Sequence, residues 1–166
     1  MGLMSIVLLS TALGASMYER DRKKVKMLSL INAFIAELYT GIRYTGSTVE
    51  EMLIGCAENP SYLDLTFLKN IKAEICDVGL TSNTMKKAVL NFAAETNMTG
   101  DEMQPLITMS EKLGTTDVEG QLQMLDVCRM QVDEQKLQVK KRCDALGRMY
   151  ISLGFLIGLG TAVILA

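Results

Sequence analysis

The sequence predicts an all-α protein: a cytoplasmic multi-helix bundle flanked by one transmembrane helix at each terminus. Three observations predict it. The 17 Lys and Arg and the 19 Asp and Glu all lie between Glu19 and Arg148, so both ends are free of charge. Helix caps and glycine stops recur through the middle, whereas strand-type alternation is nearly absent. Apolar residues in the middle repeat every three or four positions, the period of one helix face.

The ends set the topology. Residues 1–18 read MGLMSIVLLSTALGASMY and residues 149–166 read MYISLGFLIGLGTAVILA. Eighteen helical residues span about 27 Å, close to a hydrocarbon core of about 30 Å. Tyr18 and Tyr150 flank them at the interfacial level. A secretory signal carries its basic residues before the apolar run, but here Arg20, Arg22, Lys23, Lys24 and Lys26 follow it, so an uncleaved anchor is expected. Lys140, Lys141, Arg142 and Arg148 precede the second apolar run. Both asymmetries put residues 19–148 in the cytoplasm and the two termini outside. The expected division is an N-terminal span at 1–18, a helical domain at 19–148 and a C-terminal span at 149–166. Gly154, Gly158 and Gly160 give the second span a small-residue face, and Ser10 and Gly14 do so for the first. Two readings stand for them: specific helix packing, or ordinary membrane-helix glycine.

The middle divides into helices. Ser47 with Glu50, Thr99 with Glu102 and Thr116 with Glu119 have capping-box spacing, and Pro60 suits the start of another helix. Gly46, Gly79, Gly100 and Gly114 mark stops or turns. Met27, Leu30, Ile31, Phe34, Ile35, Leu38 and Ile42 form a first stripe. Leu68, Ile71, Ile75 and Val78 form a second, Met85, Val89 and Phe92 a third, and Met103, Leu106, Ile107 and Leu113 a fourth. Residues 117–147 read as one long helix. Its seam, Val118, Leu122, Leu125, Arg129, Val132, Lys136, Val139, Cys143 and Leu146, holds two charges, which is poor for a coiled coil. Residues 133–144 are mostly polar all round, as in a stalk or a partner-binding helix, and Gly147 is a candidate hinge.

Catalysis finds no foothold. There is no His, which removes Cys–His and Ser–His nucleophile pairs, and no Walker loop. Glu50–Glu51, Asp101–Glu102 and Asp133–Glu134 are sequence neighbours that point apart on a helix, so they make no acid–base dyad. Cys56, Cys76, Cys128 and Cys143 lack metal spacing and read as reduced thiols. Neither apolar end holds an ionisable group, against a proton relay. The net charge of −2 and the low aromatic content give no nucleic-acid signature. The expectation is therefore a non-enzyme without cofactor, metal or small-molecule substrate, one that holds or couples other proteins.

The C-terminal third carries LG..D...Q at Leu113, Gly114, Asp117 and Gln121. A long polar helix follows, then SLGF..GL at Ser152 to Phe155, Gly158 and Leu159. In that order, with an N-terminal anchor and a basic stretch before it, the sequence resembles the stage III sporulation protein AB family of endospore-forming bacteria. The N-terminal half matches in part. Ile42, Tyr44, Val49 and Glu51 fit the family pattern, whereas Tyr39 and Gly41 stand at its acidic positions and Thr48 at its proline. Glu37, one turn earlier, is a candidate substitute for the missing acids.

The resemblance implies a role in a mother cell–forespore channel needed for endospore formation, in the mother-cell membrane around the forespore. It also implies a bundle similar to the cytoplasmic domains of the F-type platform proteins of type II secretion. The implied partners are the ATPase stage III sporulation protein AA, other membrane subunits of the channel and the lipid bilayer. A mechanical adaptor is the first reading, with Asp117, Gln121, Asp133, Glu134, Lys136, Lys140, Lys141, Arg142 and Glu37 as candidate partner contacts. For Asp117 and Gln121, helix-start electrostatics and a bundle hydrogen bond are competing explanations. The alternatives are a static scaffold of the same channel, a two-span interaction protein of another secretion-like system, or a membrane enzyme with an unfamiliar site.

Overall fold

The computed structural model describes the backbone of residues 2–96 and 98–165, with side chains at 18–77, 79–81, 83–96, 98–147 and 149. Six α-helices follow one another among the described residues, and no strand occurs there. They are α1 (Gly2–Thr40), α2 (Val49–Glu58), α3 (Thr66–Val78), α4 (Ser82–Thr96), α5 (Gly100–Lys112) and α6 (Val118–Leu165). A π-helical turn, Gly41–Thr45, closes α1, and a 3-10 turn, Pro60–Tyr62, stands between α2 and α3.

The chain forms two units, residues 27–136 and residues 1–26 with 137–166. In the first, the expected stripes supply much of the core, but Leu28, Leu53 and Phe67 join it from outside them, and Met27, Leu30, Ile75 and Ile107 are only half-buried. Leu28, Ile31, Phe34, Ile35 and Leu38 of α1 are all 1% exposed or less. Leu53, Phe67, Leu68, Ile71, Met85, Val89, Phe92, Met103, Leu106 and Leu125 are buried with them. A fully buried side chain of this size contributes about 1.5–3 kcal/mol, a helix cap about 1 kcal/mol, so the stripes outweigh the caps. The stretch Tyr18–Thr45 is long and apolar enough to cross a membrane, but much of its apolar content is this core stripe. The spans expected at 1–18 and 149–166 fall, Tyr18 and Met149 apart, on side chains outside the described residues, as do Gly154, Gly158 and Gly160.

Several local expectations shift by one residue. Thr48, not Ser47, caps α2: its hydroxyl accepts the Glu51 N–H at 3.3 Å and Glu51 returns to the Thr48 N–H at 3.0 Å. Threonine and serine, like the two glutamates, are adjacent, so the sequence offers both registers. The box at Thr99 and Glu102 forms as expected. At α6 the capping oxygen belongs to Asp117, which accepts the Gly120 N–H at 3.3 Å, and Thr116 lies one residue too early. Gly46, Gly79 and Gly114 take positive φ as stops, but Gly100 is the first residue of α5. Pro60 opens only the single 3-10 turn.

The seam of α6 also changes. Cys128, 1% exposed, occupies the core where Arg129 is expected, and Arg129 is exposed. A step of three after Leu125 reaches Cys128 and a step of four reaches Val132, so the two charges need not sit on the buried line. Backbone helix continues through Gly147 to Leu165.

The second unit has a different character. Residues near Tyr18 and Gly147 face each other: a Cβ on Gly147 would lie 3.7 Å from the Tyr18 ring. Cys143 lies within electrostatic reach of Asp21 and Arg22, so the two stretches run antiparallel. Nine Lys or Arg and three Asp or Glu give this unit a formal charge of +6. Residues 27–136 hold eight Lys or Arg against sixteen Asp or Glu, a charge of −8.

Two glycines separate backbone cost from packing. Gly55 is exposed in α2, with open space where a Cβ would go. Gly55→Ala therefore raises stability by about 0.5–1 kcal/mol in denaturant unfolding of the full chain. At Gly41 the Met52 thioether fills the place of a Cβ. A Cβ there displaces only the flexible end of Met52, so Gly41→Ala is nearly neutral and stabilises less than Gly55→Ala in the same unfolding series.

Candidate functional site

The α5–α6 connection builds the most defined polar site. Leu113, 3% exposed, anchors it in the core, and Gly114 turns the chain at φ 78°. The Thr115 N–H and hydroxyl both bond the Lys112 carbonyl, at 3.2 and 2.8 Å. Asp117 then caps α6, and one helical turn on, Gln121 Nε2 donates back to the Thr116 carbonyl at 2.8 Å. The residues of the LG..D...Q motif thus act locally as anchor, turn, cap and staple. These contacts favour the competing explanations for Asp117 and Gln121 as helix-start and bundle residues.

One atom is left over. Gln121 is 8% exposed, and its Oε1 has no hydrogen-bond partner. With Nε2 committed to a carbonyl, the amide orientation is fixed, because only the nitrogen can donate. An unpaired buried acceptor costs about 1–3 kcal/mol. Gln121 lines a cleft of about 540 Å³ together with Glu50, Leu80, Thr81, Leu113 and Thr115. Glu50 forms the opposite wall: its Oε1 accepts the Leu80 N–H at 3.1 Å and so ties the α3–α4 connection to the start of α2. Sequence reasoning missed Glu50, Leu80 and Thr81, which come from distant parts of the chain and carry no shared spacing.

The other candidates are scattered. Glu37 is engaged, accepting a 2.6 Å bond from the Tyr62 hydroxyl. Tyr62 in turn stands edge-on to Phe34, with ring centroids 6.2 Å apart. Burial, followed by that bond to Glu37, pushes the Tyr62 hydroxyl well above its usual range. The neighbouring Cys56 thiol is pushed up to about 12, by burial first and by the Glu37 charge second. Asp133 pairs with Lys136 at 2.7 Å, and that bond, with one from Asn32, holds its carboxyl below the usual range. Glu134 is exposed beside a smaller groove with Gln104 and Gln131. Lys140, Lys141 and Arg142 are exposed in the other unit. The expected polar face over 133–142 is thus divided between the two units.

Residues 39–44 have their own chemistry. Arg43 donates to the Tyr39 hydroxyl at 2.5 Å and lies 5.7 and 5.6 Å from the Tyr39 and Tyr44 ring centroids. The π-turn Gly41–Thr45 carries this cluster. With Glu119 and Asp126, Tyr39 and Arg43 line a cleft of about 660 Å³.

The thiols and the Tyr62 pair are testable. Cys76 is exposed, whereas Cys56, Cys128 and Cys143 are buried and their thiols are shifted upward, chiefly by burial. A maleimide at neutral pH labels Cys76 in the folded chain, and the other three react only on unfolding, as peptide mapping will show. Tyr62→Phe removes a donor from the Glu37 carboxylate and costs about 1–2 kcal/mol. Between pH 9 and 12 the unfolded chain loses the Cys56 and Tyr62 protons that the fold retains, so stability falls as pH rises through this window. Tyr62→Phe makes that decline shallower in denaturation series across the same window.

No curated protein and no solved structure matches this chain significantly. The family model for stage III sporulation protein AB matches residues 1–166, the whole sequence, including the loop motif at Leu113 to Gln121. The chain therefore belongs to the stage III sporulation protein AB family, and its role is in stage III of sporulation.

Proposed function

We propose that this protein is a membrane platform subunit of the mother cell–forespore channel, docking or coupling a cytosolic ATPase to the membrane apparatus. The observation that carries the reading is α6, an unbroken helix from Val118 to Leu165. It starts at the motif loop in the −8 unit and ends in the uncharged C-terminal run. A helix resists axial displacement better than a loop, which suits an element that transmits movement. In this reading residues 1–18 and 149–166 span the mother-cell membrane, both termini lie outside, and the bundle is cytoplasmic. The basic residues flanking both apolar runs support that orientation. The bundle would then correspond to the cytoplasmic domains of type II secretion F-type platform proteins. The protein itself performs no catalysis; stage III sporulation protein AA is the ATPase partner, and further channel membrane subunits contact the spanning helices.

The rival is a static scaffold that nucleates the channel and transmits nothing. The exposed basic residues of α6, Lys140, Lys141 and Arg142, favour a contact that forms and releases. Full-length chain co-purifies with the ATPase, and the complex weakens as salt rises toward about 0.5 M, where exposed charges are screened. Binding indifferent to salt would remove the polar-surface contact. Charge reversals at Lys140 and Lys141 that leave channel assembly intact but abolish forespore gene expression support coupling; loss of assembly itself supports the scaffold.

A further inference from the structure

We propose that the basic segment of α1, Arg20 to Lys26, is a binding site for anionic phospholipid headgroups, and that the basic residues of α6 beside it stand outside that site. The inference rests on the membrane spans of the reading above, and it separates cations that the sequence presents as one set.

The register of the two helices brings the cations together. A Cβ on Gly147 would lie 3.7 Å from the Tyr18 ring, and Cys143 is within electrostatic reach of Asp21 and Arg22. Each step forward on α1 is thus a step back on α6, and residues 20–26 run beside residues 139–145. This band holds eight Lys or Arg against two Asp. Arg20, Arg22, Lys23 and Lys26 are exposed on α1, with Lys24 half-buried, and Lys140, Lys141 and Arg142 are exposed on α6. Val139 and Cys143 are buried and Val25 is half-buried. At about 3.6 residues per turn, the five cations of α1 wrap every side of it except that of Asp21 and Val25.

Direction then divides the band. In an α-helix each Cα–Cβ bond tilts toward the N-terminus, and long side chains follow it. The N-terminal end of α1 is the uncharged run 1–18, so the cations of α1 lean back toward the membrane. The uncharged run 149–166 is at the C-terminal end of α6, so Lys140, Lys141 and Arg142 lean away from it. Depth adds to this. Headgroups occupy about 5–7 Å on each side of the hydrocarbon core. Arg20, Arg22 and Lys23 lie about 3–8 Å beyond the level of Tyr18, inside that layer or at its edge. Arg142, Lys141 and Lys140 lie about 7–11 Å beyond the level of Gly147 and point outward, toward a cytoplasmic partner. A lipid phosphodiester carries one negative charge and oxygen acceptors, which ammonium and guanidinium donors match. The positive-inside rule counts both groups of cations alike; the tilt does not.

The test uses the full-length chain in uncharged detergent, mixed with equal amounts of phosphatidylglycerol and phosphatidylcholine of the same acyl chains. Native mass spectrometry counts the lipid retained. Phosphatidylglycerol is retained over phosphatidylcholine by about fivefold or more, the scale of one basic residue at an anionic surface. Arg22→Gln, Lys23→Gln and Lys24→Gln together bring the two lipids close to parity, and Arg20→Gln with Lys26→Gln lowers the preference as well. Lys140→Gln, Lys141→Gln and Arg142→Gln remove the same charge from α6 and leave the preference within about twofold of the original. The exchange Arg22→Lys, Lys23→Arg and Lys24→Arg keeps it, and unchanged helix content by circular dichroism shows each variant folded. Equal retention of the two lipids, equal losses from the α1 and α6 triple variants, or loss on the charge-preserving exchange would overturn the proposal. So would abolition of the preference by millimolar glycerol 3-phosphate, since the ligand would then be a free phosphate ester. Lipid preference without ATPase binding leaves this site standing and removes the docking reading; ATPase binding without lipid preference does the reverse.

Discussion

The edge-on contact of Phe34 with Phe67 is the constraint on which the bundle depends. Their centroids are 5.7 Å apart, and Phe67 meets Phe92 at 5.1 Å. Three rings thus tie α1, α3 and α4, which come from separate parts of the sequence. Aromatic pairs of this kind contribute about 0.5–1.5 kcal/mol beyond the area they bury. Tyr62 adds a fourth ring, also edge-on to Phe34, and brings a hydroxyl with it. That hydroxyl donates to Glu37, so a carboxylate that sequence reasoning offers to a partner is also tied to the core. The whole 27–136 unit is organised outward from a few rings, with caps and turns trimming the ends.

The fold was legible where the signal was periodic and repeated. Stripes over ten or more residues identify a helix face even if a boundary is off by one. The registers were not legible where two neighbours had the same chemistry. Ser47 and Thr48 are equivalent caps on paper, as are Glu50 and Glu51 as their partners; tertiary contact decides, because Glu50 is needed at the Leu80 N–H. In α6 a 4-3 and a 3-4 reading diverge after Leu125, and burial selects Cys128, whose thiol then donates to the Pro105 carbonyl at 3.3 Å. The charged line makes the helix look less able to pack than it is. The cleft was invisible for a different reason. It is assembled from residues near positions 50, 80 and 115, and no one-dimensional pattern links them.

Charge is sorted along the chain as well. The +6 and −8 units nearly cancel in the whole chain, so net charge conceals the arrangement. Each unit has a consistent physical partner in the proposed function. Basic residues beside apolar runs suit the inner surface of a membrane, where anionic headgroups collect. An acidic bundle suits cationic surfaces in the cytoplasm and avoids that same membrane surface. The sorting thus separates what each unit can approach before any specific contact forms.

The motif at Leu113 to Gln121 shows how structural and functional explanations can share residues. Anchor, turn, cap and staple account for every side chain in it. They do not account for every atom. A staple needs only a donor toward the Thr116 carbonyl, and a lysine or an arginine would provide one. An amide provides the donor and also an acceptor, which the fold then leaves without a partner beside an acidic wall. Burying that acceptor unpaired is destabilising. The cost falls on the same first turns of α6 that the Nε2 bond to the Thr116 carbonyl holds together, so one side chain both staples and strains the start of the helix.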